Sequence, residues 1–322
     1  MSLSPAYHLR TNKAIERLLF VQLLQRLDGR LPRRIEEYRY VSLGGPYLED
    51  FAVIHGAFGN TRMLSLEKKA HIRTRQLLNR PYSRIKLSLD STATFVANYR
   101  TGNVPLIVWF DYEWQDWKEQ LSESCDLLSK LPPMSIFKIT LTGKTEWLAD
   151  IGDTDPLTDR AARLTDKFGD YGTFGPNDIK RNAICGTLHF LCRRAIADAV
   201  PDTEEKSVRT LAAYQYDDGT PVLTITMIVG PLSVIRDVVR KAGLADWEFA
   251  VLNWRKPKNI DVPFLGLRER LAVDRLMPDA DARAVVKRLK LRLTENYQES
   301  VSAIANYIEF YRHVPHFLRV TL

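Results

Sequence analysis

Cysteine is scarce. Only Cys125, Cys185 and Cys192 occur in 322 residues, with no CxxC pair and no histidine cluster at zinc spacing. That excludes a disulfide framework and a structural zinc site, and a reducing cytoplasm is the expected compartment. Long apolar runs are missing too. The opening MSLSPAYHLRTNK has no signal-peptide core, and the most apolar region, near 221–235, is interrupted by Thr, Gly and Pro, so no membrane partner is expected. Neither an internal repeat nor a low-complexity tract is present, which excludes solenoids and long disordered linkers. The dinucleotide fingerprint GxGxxG and the phosphate-loop motif are also absent, which argues against a nicotinamide-dependent oxidoreductase.

What the chain does have is a basic balance, 46 Lys and Arg against 39 Asp and Glu, for a net charge of +7. It suits anionic partners such as RNA, DNA or a nucleotide, and equally suits plain solubility. With 45% hydrophobic residues the chain can bury a large core.

The apolar spacing of Ile15, Leu18, Leu19, Leu23 and Leu27 predicts an amphipathic helix over 12–27. YRYVSL, TRMLSLE, RIKLSLD, VPLIVWFD and MSIFKITLT then read as five short, nearly continuous apolar strands alternating with helices. That pattern indicates a parallel sheet covered on both faces, a doubly wound α/β domain. Residues 143–176 read as an irregular insertion, followed by a helix over 177–199. VRTLAAYQY and PVLTITMIVG, joined by DDGT, read as a terminal antiparallel hairpin. The expected layout is an N-terminal helix or lid over 1–37, an α/β domain over 38–230 and a mainly helical basic extension over 231–322.

In an open parallel sheet, ligands bind beyond the carboxyl ends of the strands. Four loops are therefore of interest. Gly44 and Gly45 in YVSLGGPYLEDF allow either close backbone approach to a ligand or an ordinary turn. Glu67 follows Gly44 by 23 positions, near the separation at which an acid reaches a ribose diol, though an exposed acid at a helix start explains it as well. Asp90 could accept from an adenine amino group or cap a helix. In WFDYEWQDW most aromatics, Trp109, Phe110, Trp114 and Trp117 among them, suit core or helix positions, whereas Asp111 and Tyr112 fall where the strand meets the crevice.

This series of strand ends resembles a class I S-adenosylmethionine-dependent methyltransferase. YHLRTNKAIERLLF, YRYVSLGGPYLEDF, MLSLEKK and VWFDYEW are similar to bacterial proteins labelled O-methyltransferases, over about residues 7–230. The resemblance implies a mostly parallel, seven-stranded Rossmann-like sheet with one antiparallel strand. It implies S-adenosylmethionine as cofactor, with Gly44 and Gly45 at its methionine part, Glu67 at its ribose and Asp90 at its adenine. The first loop departs from the family's richer GxGxG pattern at Pro46 and Tyr47, and the nucleic-acid amino-methyltransferase signature is absent.

Methyl transfer needs donor and acceptor held in line and, for a hydroxyl acceptor, removal of a proton. Asp111 is the candidate base or orienter and Tyr112 the candidate stacking or hydrogen-bonding group. His8, Arg10, Asn12 and Lys13 form a candidate lid, and Arg283 and Lys287 are candidate phosphate contacts. Asp111 with Asp150 or Asp153 could form a magnesium site, but ADIGDTD reads as well as an exposed loop, and no metal is expected. His189, His313 and His316 read as structural. The expected function is methyl transfer to an anionic or nucleotide-like acceptor. The alternative is a catalytically idle module of the same fold that binds a nucleotide signal or a protein partner.

Overall fold

The structure, a computed structural model, describes residues 10–112 and 116–315. Its described residues divide into two compact units. The larger comprises Phe20–Gln215 and Gly219–Lys258; the smaller comprises the segment up to Leu19, Tyr216–Asp218 and the segment from Asn259.

Eight strands form one sheet: β1 Arg39–Ser42, β2 Met63–Leu66, β3 Ile85–Ser88, β4 Leu106–Asp111, β5 Ser135–Thr142, β6 Ser207–Asp217, β7 Pro221–Gly230 and β8 Lys258–Ile260. Their order is β3-β2-β1-β4-β5-β7-β6-β8. β1 to β5 are parallel, and β7 runs antiparallel to β5 from Ser135 beside Val229 to Thr142 beside Val222. The sheet thus has eight strands where seven were expected. The added one is only Lys-Asn-Ile and has no apolar run to announce it.

Helices α2 Glu49–Phe58, α3 Ala70–Asn79, α4 Thr92–Asn98, α5 Trp117–Lys130 and α7 Ile184–Ala199 connect the strands. Several start where a side chain satisfies the first-turn N–H groups: Ser91 accepts from Thr94, and Asp116 accepts from Lys118 and Glu119. The large core lies where α4, α5 and α7 cover the sheet, built from Val108, Phe110, Trp117, Leu128, Phe137 and Leu188 among others.

Two expectations of local structure need correction. The segment 143–176 is not irregular, since it contains α6, Pro156–Phe168. Pro156 sits in its first turn, Ala161, Leu164 and Phe168 are buried, and Arg163 ties it back to the Leu148 carbonyl. The leading helix α1, Thr11–Leu27, is not a surface amphipathic helix. Leu18 on the expected apolar face is 40% exposed, whereas Lys13, Glu16 and Arg17 on the expected polar face are buried.

Beyond β7 the chain forms α8 Leu232–Lys241, which falls in the larger unit, and then α9 Leu267–Asp274, α10 Ala282–Leu289 and α11 Tyr297–Phe310 in the smaller one. Among the described residues no helix is long and apolar enough to cross a membrane.

Candidate functional site

Parallel register brings the expected residues to one edge. Ser42 lies beside Ser65 on one side and Trp109 on the other, and Leu66 lies beside Ser88. The chain therefore leaves β1, β2, β3 and β4 in the same direction, carrying Gly44 and Gly45, Glu67, Asp90 and Asp111 to the carboxyl edge. Between β1 and β4 the connections diverge to opposite sides, and such a switch point opens a crevice.

The glycine loop turns out to be a corner packed from within. Gly44 and Gly45 have φ of 65° and 52°, in the left-handed region that favours glycine. A Cβ on Gly44 would lie 2.6 Å from Leu48, 2.8 Å from the Phe51 ring and 2.9 Å from the Ser65 hydroxyl. The space beside Gly44 is therefore filled by protein, leaving none there for a ligand. Two residues of α3 that were not among the sequence candidates hold this loop. Buried Gln76 donates to the Gly45 carbonyl at 2.8 Å, and Asn79 donates to the Pro46 carbonyl at 3.0 Å. Their spacing of three, one helical turn, was the available clue. Arg75 lies over the Tyr47 ring and donates to its hydroxyl at 2.9 Å.

The acids behave differently from the glycines. Glu67, partly exposed, accepts the Lys69 backbone N–H at 2.8 Å across the start of α3. Asp90 does not cap α4, because Ser91 does; it accepts instead from the Ser88 hydroxyl and stays partly exposed. Asp111 ends β4, also partly exposed. Three carboxylates on the ends of β2, β3 and β4 suit a ligand with a diol and an exocyclic amine, the donors of a nucleoside. The residues present therefore fit the nucleoside half of the expected cofactor.

Tyr112 requires correction. It is buried, packs edge-to-face on Phe110 with ring centroids 5.6 Å apart, and donates its hydroxyl to Glu123 at 3.0 Å. Burial, reinforced by the Glu123 charge, holds its ionisation well above the ordinary tyrosine range. Such a ring cannot stack on an acceptor, and such a hydroxyl is no base near neutrality. Glu123, not among the sequence candidates, is pushed up in pKa mainly by burial, against bonds from Thr92 and Tyr112 that favour its charged form. Of the other aromatics, Trp109, Phe110 and Trp117 are core; Trp114 lies outside the described residues. The Trp109 ring carries the Lys138 ammonium 3.4 Å from its centroid.

The candidate lid also divides. His8 lies outside the described residues, as does His316. Arg10 is partly exposed. Asn12 is buried, donates to the Asp218 carboxylate at 3.1 Å and accepts from the Val262 N–H at 3.1 Å. Lys13, also buried, offers its backbone N–H to Asp218 at 3.1 Å. Within the smaller unit these two residues form a buried clamp and present nothing to an acceptor, contrary to the lid expectation. Arg283 and Lys287 are exposed one turn apart on α10. Asp153, offered above as a metal partner, is paired with Arg163.

A family model described as "Putative O-methyltransferase" matches residues 5–322. Among solved structures, the chain is similar to the S-adenosylmethionine-dependent methyltransferase SibL in its apo form, at 14% identity and TM-score 0.33, over 59% of this chain and 50% of that one. It is similar to a protein described as "a putative O-methyltransferase" from Klebsiella pneumoniae, at 11% and 0.39, over 71% and 83%. It is similar to an rRNA methylase from Streptococcus thermophilus, at 13% and 0.36, over 65% and 93%. The chain spans half the length of SibL. No curated protein matches.

Proposed function

The chain belongs to that O-methyltransferase family, and from this premise we propose that it transfers a methyl group from S-adenosylmethionine to a hydroxyl oxygen of an anionic or nucleotide-like acceptor. The observation that carries the reading is the set of carboxylates Glu67, Asp90 and Asp111 at the carboxyl ends of β2, β3 and β4, flanking β1 in a sheet ordered 3-2-1-4. Bound there, S-adenosylmethionine supplies a methyl carbon on a sulfonium sulfur, whose C–S bond breaks with its electron pair on sulfur as the acceptor oxygen bonds the carbon.

The residues of this chain have three tasks. Glu67 and Asp90 accept the ribose hydroxyls and the adenine amino group, each able to exchange its present local bond for a ligand donor. Asp111 receives or orients the acceptor's proton, a task for which Tyr112 is too buried. The corner held by Gln76 and Asn79 fixes the position of the first loop.

Calorimetric titration with S-adenosylhomocysteine tests the reading. Binding should be measurable for the native chain and weaken at least about tenfold in Glu67→Ala and in Asp90→Ala, the loss of one or two hydrogen bonds. No binding to the native chain at millimolar ligand, or binding as tight as native in either variant, would overturn it.

A further inference from the structure

Seven of the 46 Lys and Arg fall between Lys68 and Lys86, a stretch with no Asp or Glu; the other 39 are matched by the 39 acids. This one segment therefore carries the whole net charge of +7. It folds as α3, a short turn and β3, and β3 ends the strand order, with no strand beyond it among the described residues. Lys69, Arg84 and Lys86 are exposed, and their side chains make no hydrogen bond or ion pair among the described residues. The Arg73 Nε is likewise without a partner. Leu77 and Leu78, 47% and 84% exposed, lie among the charges.

A merely solvated helix gains from acids set three or four positions from its bases, and elsewhere in this chain bases are so matched: Arg240 and Lys241 both pair with Asp237 on α8. Lys68, at the start of the segment, has Glu67, Glu119 and Glu123 near it, but no acid stands three or four positions from Lys69, Arg73 or Arg75; the like charges there repel one another, a cost recovered when a polyanion releases its counterions on binding. The segment also begins next to Glu67, and through Gln76 and Asn79 it grips the glycine corner.

We propose that the α3–β3 face is the docking surface for single-stranded RNA. The proposal rests on the methyl-transfer reading for its choice among nucleic acids: an O-methyltransferase needs a hydroxyl, and the hydroxyl repeated along a nucleic-acid backbone is the 2′-OH of RNA, which DNA lacks. The RNA backbone supplies phosphates to the cations, and the exposed Leu77 and Leu78 offer apolar surface to unstacked bases. In the reaction the 2′-oxygen bonds the methyl carbon, the C–S pair stays on sulfur, and the hydroxyl proton passes to the Asp111 carboxylate.

The test is fluorescence anisotropy of the full chain with a labelled mixed-sequence 20-nucleotide RNA, its DNA counterpart and phosphatidylglycerol vesicles. RNA should bind more tightly than DNA or vesicles. The double variant Arg84→Glu, Lys86→Glu should lose at least about tenfold in RNA affinity and show a salt slope shallower by about 1.4, at roughly 0.7 per phosphate contact. Equal reversal at exposed Arg194 and Arg255 should change affinity less than threefold, and S-adenosylhomocysteine affinity should be unchanged in both variants, which also reports that they fold. Undiminished RNA binding in the first variant, equal binding of DNA, or preference for vesicles would overturn the proposal. Failure of the native chain to bind S-adenosylhomocysteine while the RNA results hold would overturn the methyl-transfer reading alone.

Discussion

Gln76 donates its side-chain amide to the Gly45 carbonyl at 2.8 Å, from a position with no solvent exposure. This bond locks α3 to the first loop of the carboxyl edge, so the loop's conformation depends on a helix that follows a different strand. Gln76→Ala should leave the partly buried Gly45 carbonyl without this donor and cost about 0.5–1.5 kcal/mol of stability. It should also weaken S-adenosylhomocysteine binding severalfold by loosening the loop. Urea denaturation and calorimetry report the two effects, and a variant with native values of both would show that the bond holds nothing.

Gly44 separates turning from cradling. Its left-handed φ and the 2.6–2.9 Å approach of Leu48, Phe51 and Ser65 leave no room for a methyl group. Gly44→Ala should therefore destabilise the fold by about 2 kcal/mol or more, from strain and overpacking together. Bound ligand should restore little of that loss, because the crowding comes from inside. A thermal melt unchanged by the substitution would contradict the packed corner.

Asp111→Asn keeps the shape of the strand end and removes the proton acceptor. Turnover should fall about 100-fold or more while S-adenosylhomocysteine affinity stays within threefold, the split expected of a group needed in the transition state and not for cofactor binding. Tyr112→Phe should behave in the opposite way, costing stability through the Glu123 bond with a modest effect on turnover. Reversal of those two patterns would exchange the roles.

Legibility followed hydrophobic pattern. The five parallel strands and the β6–β7 hairpin were readable because each is a compact apolar run bounded by turn residues, and burial on both faces demands such runs. Strand ends then located Glu67, Asp90 and Asp111 without any side-chain contact being known. Illegible were the features set by distant partners. Asn12 and Lys13 looked like an exposed lid because nothing local shows that Asp218, some two hundred residues later, caps them. Tyr112 follows Asp111 directly, yet Glu123 and Phe110 draw its ring into the core. The three-residue β8 exists through pairing alone.

The clamp gives the lid correction a measurable consequence. Asn12→Ala removes the donor to Asp218 and the acceptor for the Val262 N–H, both within the smaller unit. A loss of about 1–3 kcal/mol is expected in urea denaturation, with S-adenosylhomocysteine affinity unchanged. A residue of a mobile lid would show the reverse, native stability with altered affinity.

His189 on α7 sets a pH limit. Burial, with the nearby Arg193 charge adding to it, lowers its pKa to about 4 from the usual 6.5, and its ring lies 5.5 Å from that of Trp254. The unfolded chain takes up this proton near pH 6.5 and the folded chain only near 4, so between those values unfolding binds a proton. The contribution of neutral His189 is fully present above pH 6.5 and is lost as pH falls toward 4. Glu123 acts in the opposite sense, its raised pKa making the folded chain the stronger proton binder as pH rises past the ordinary glutamate value. The difference between the native chain and a variant isolates the histidine. Denaturation of His189→Gln at several pH values from 4.5 to 7.5 should show a pH slope shallower than native by up to about 1.4 kcal/mol per pH unit within the window, one proton's worth. Above pH 7 the two slopes should coincide. Parallel slopes throughout would mean that His189 is protonated in the fold at the same pH as in the unfolded chain, and that its burial has no effect on its charge.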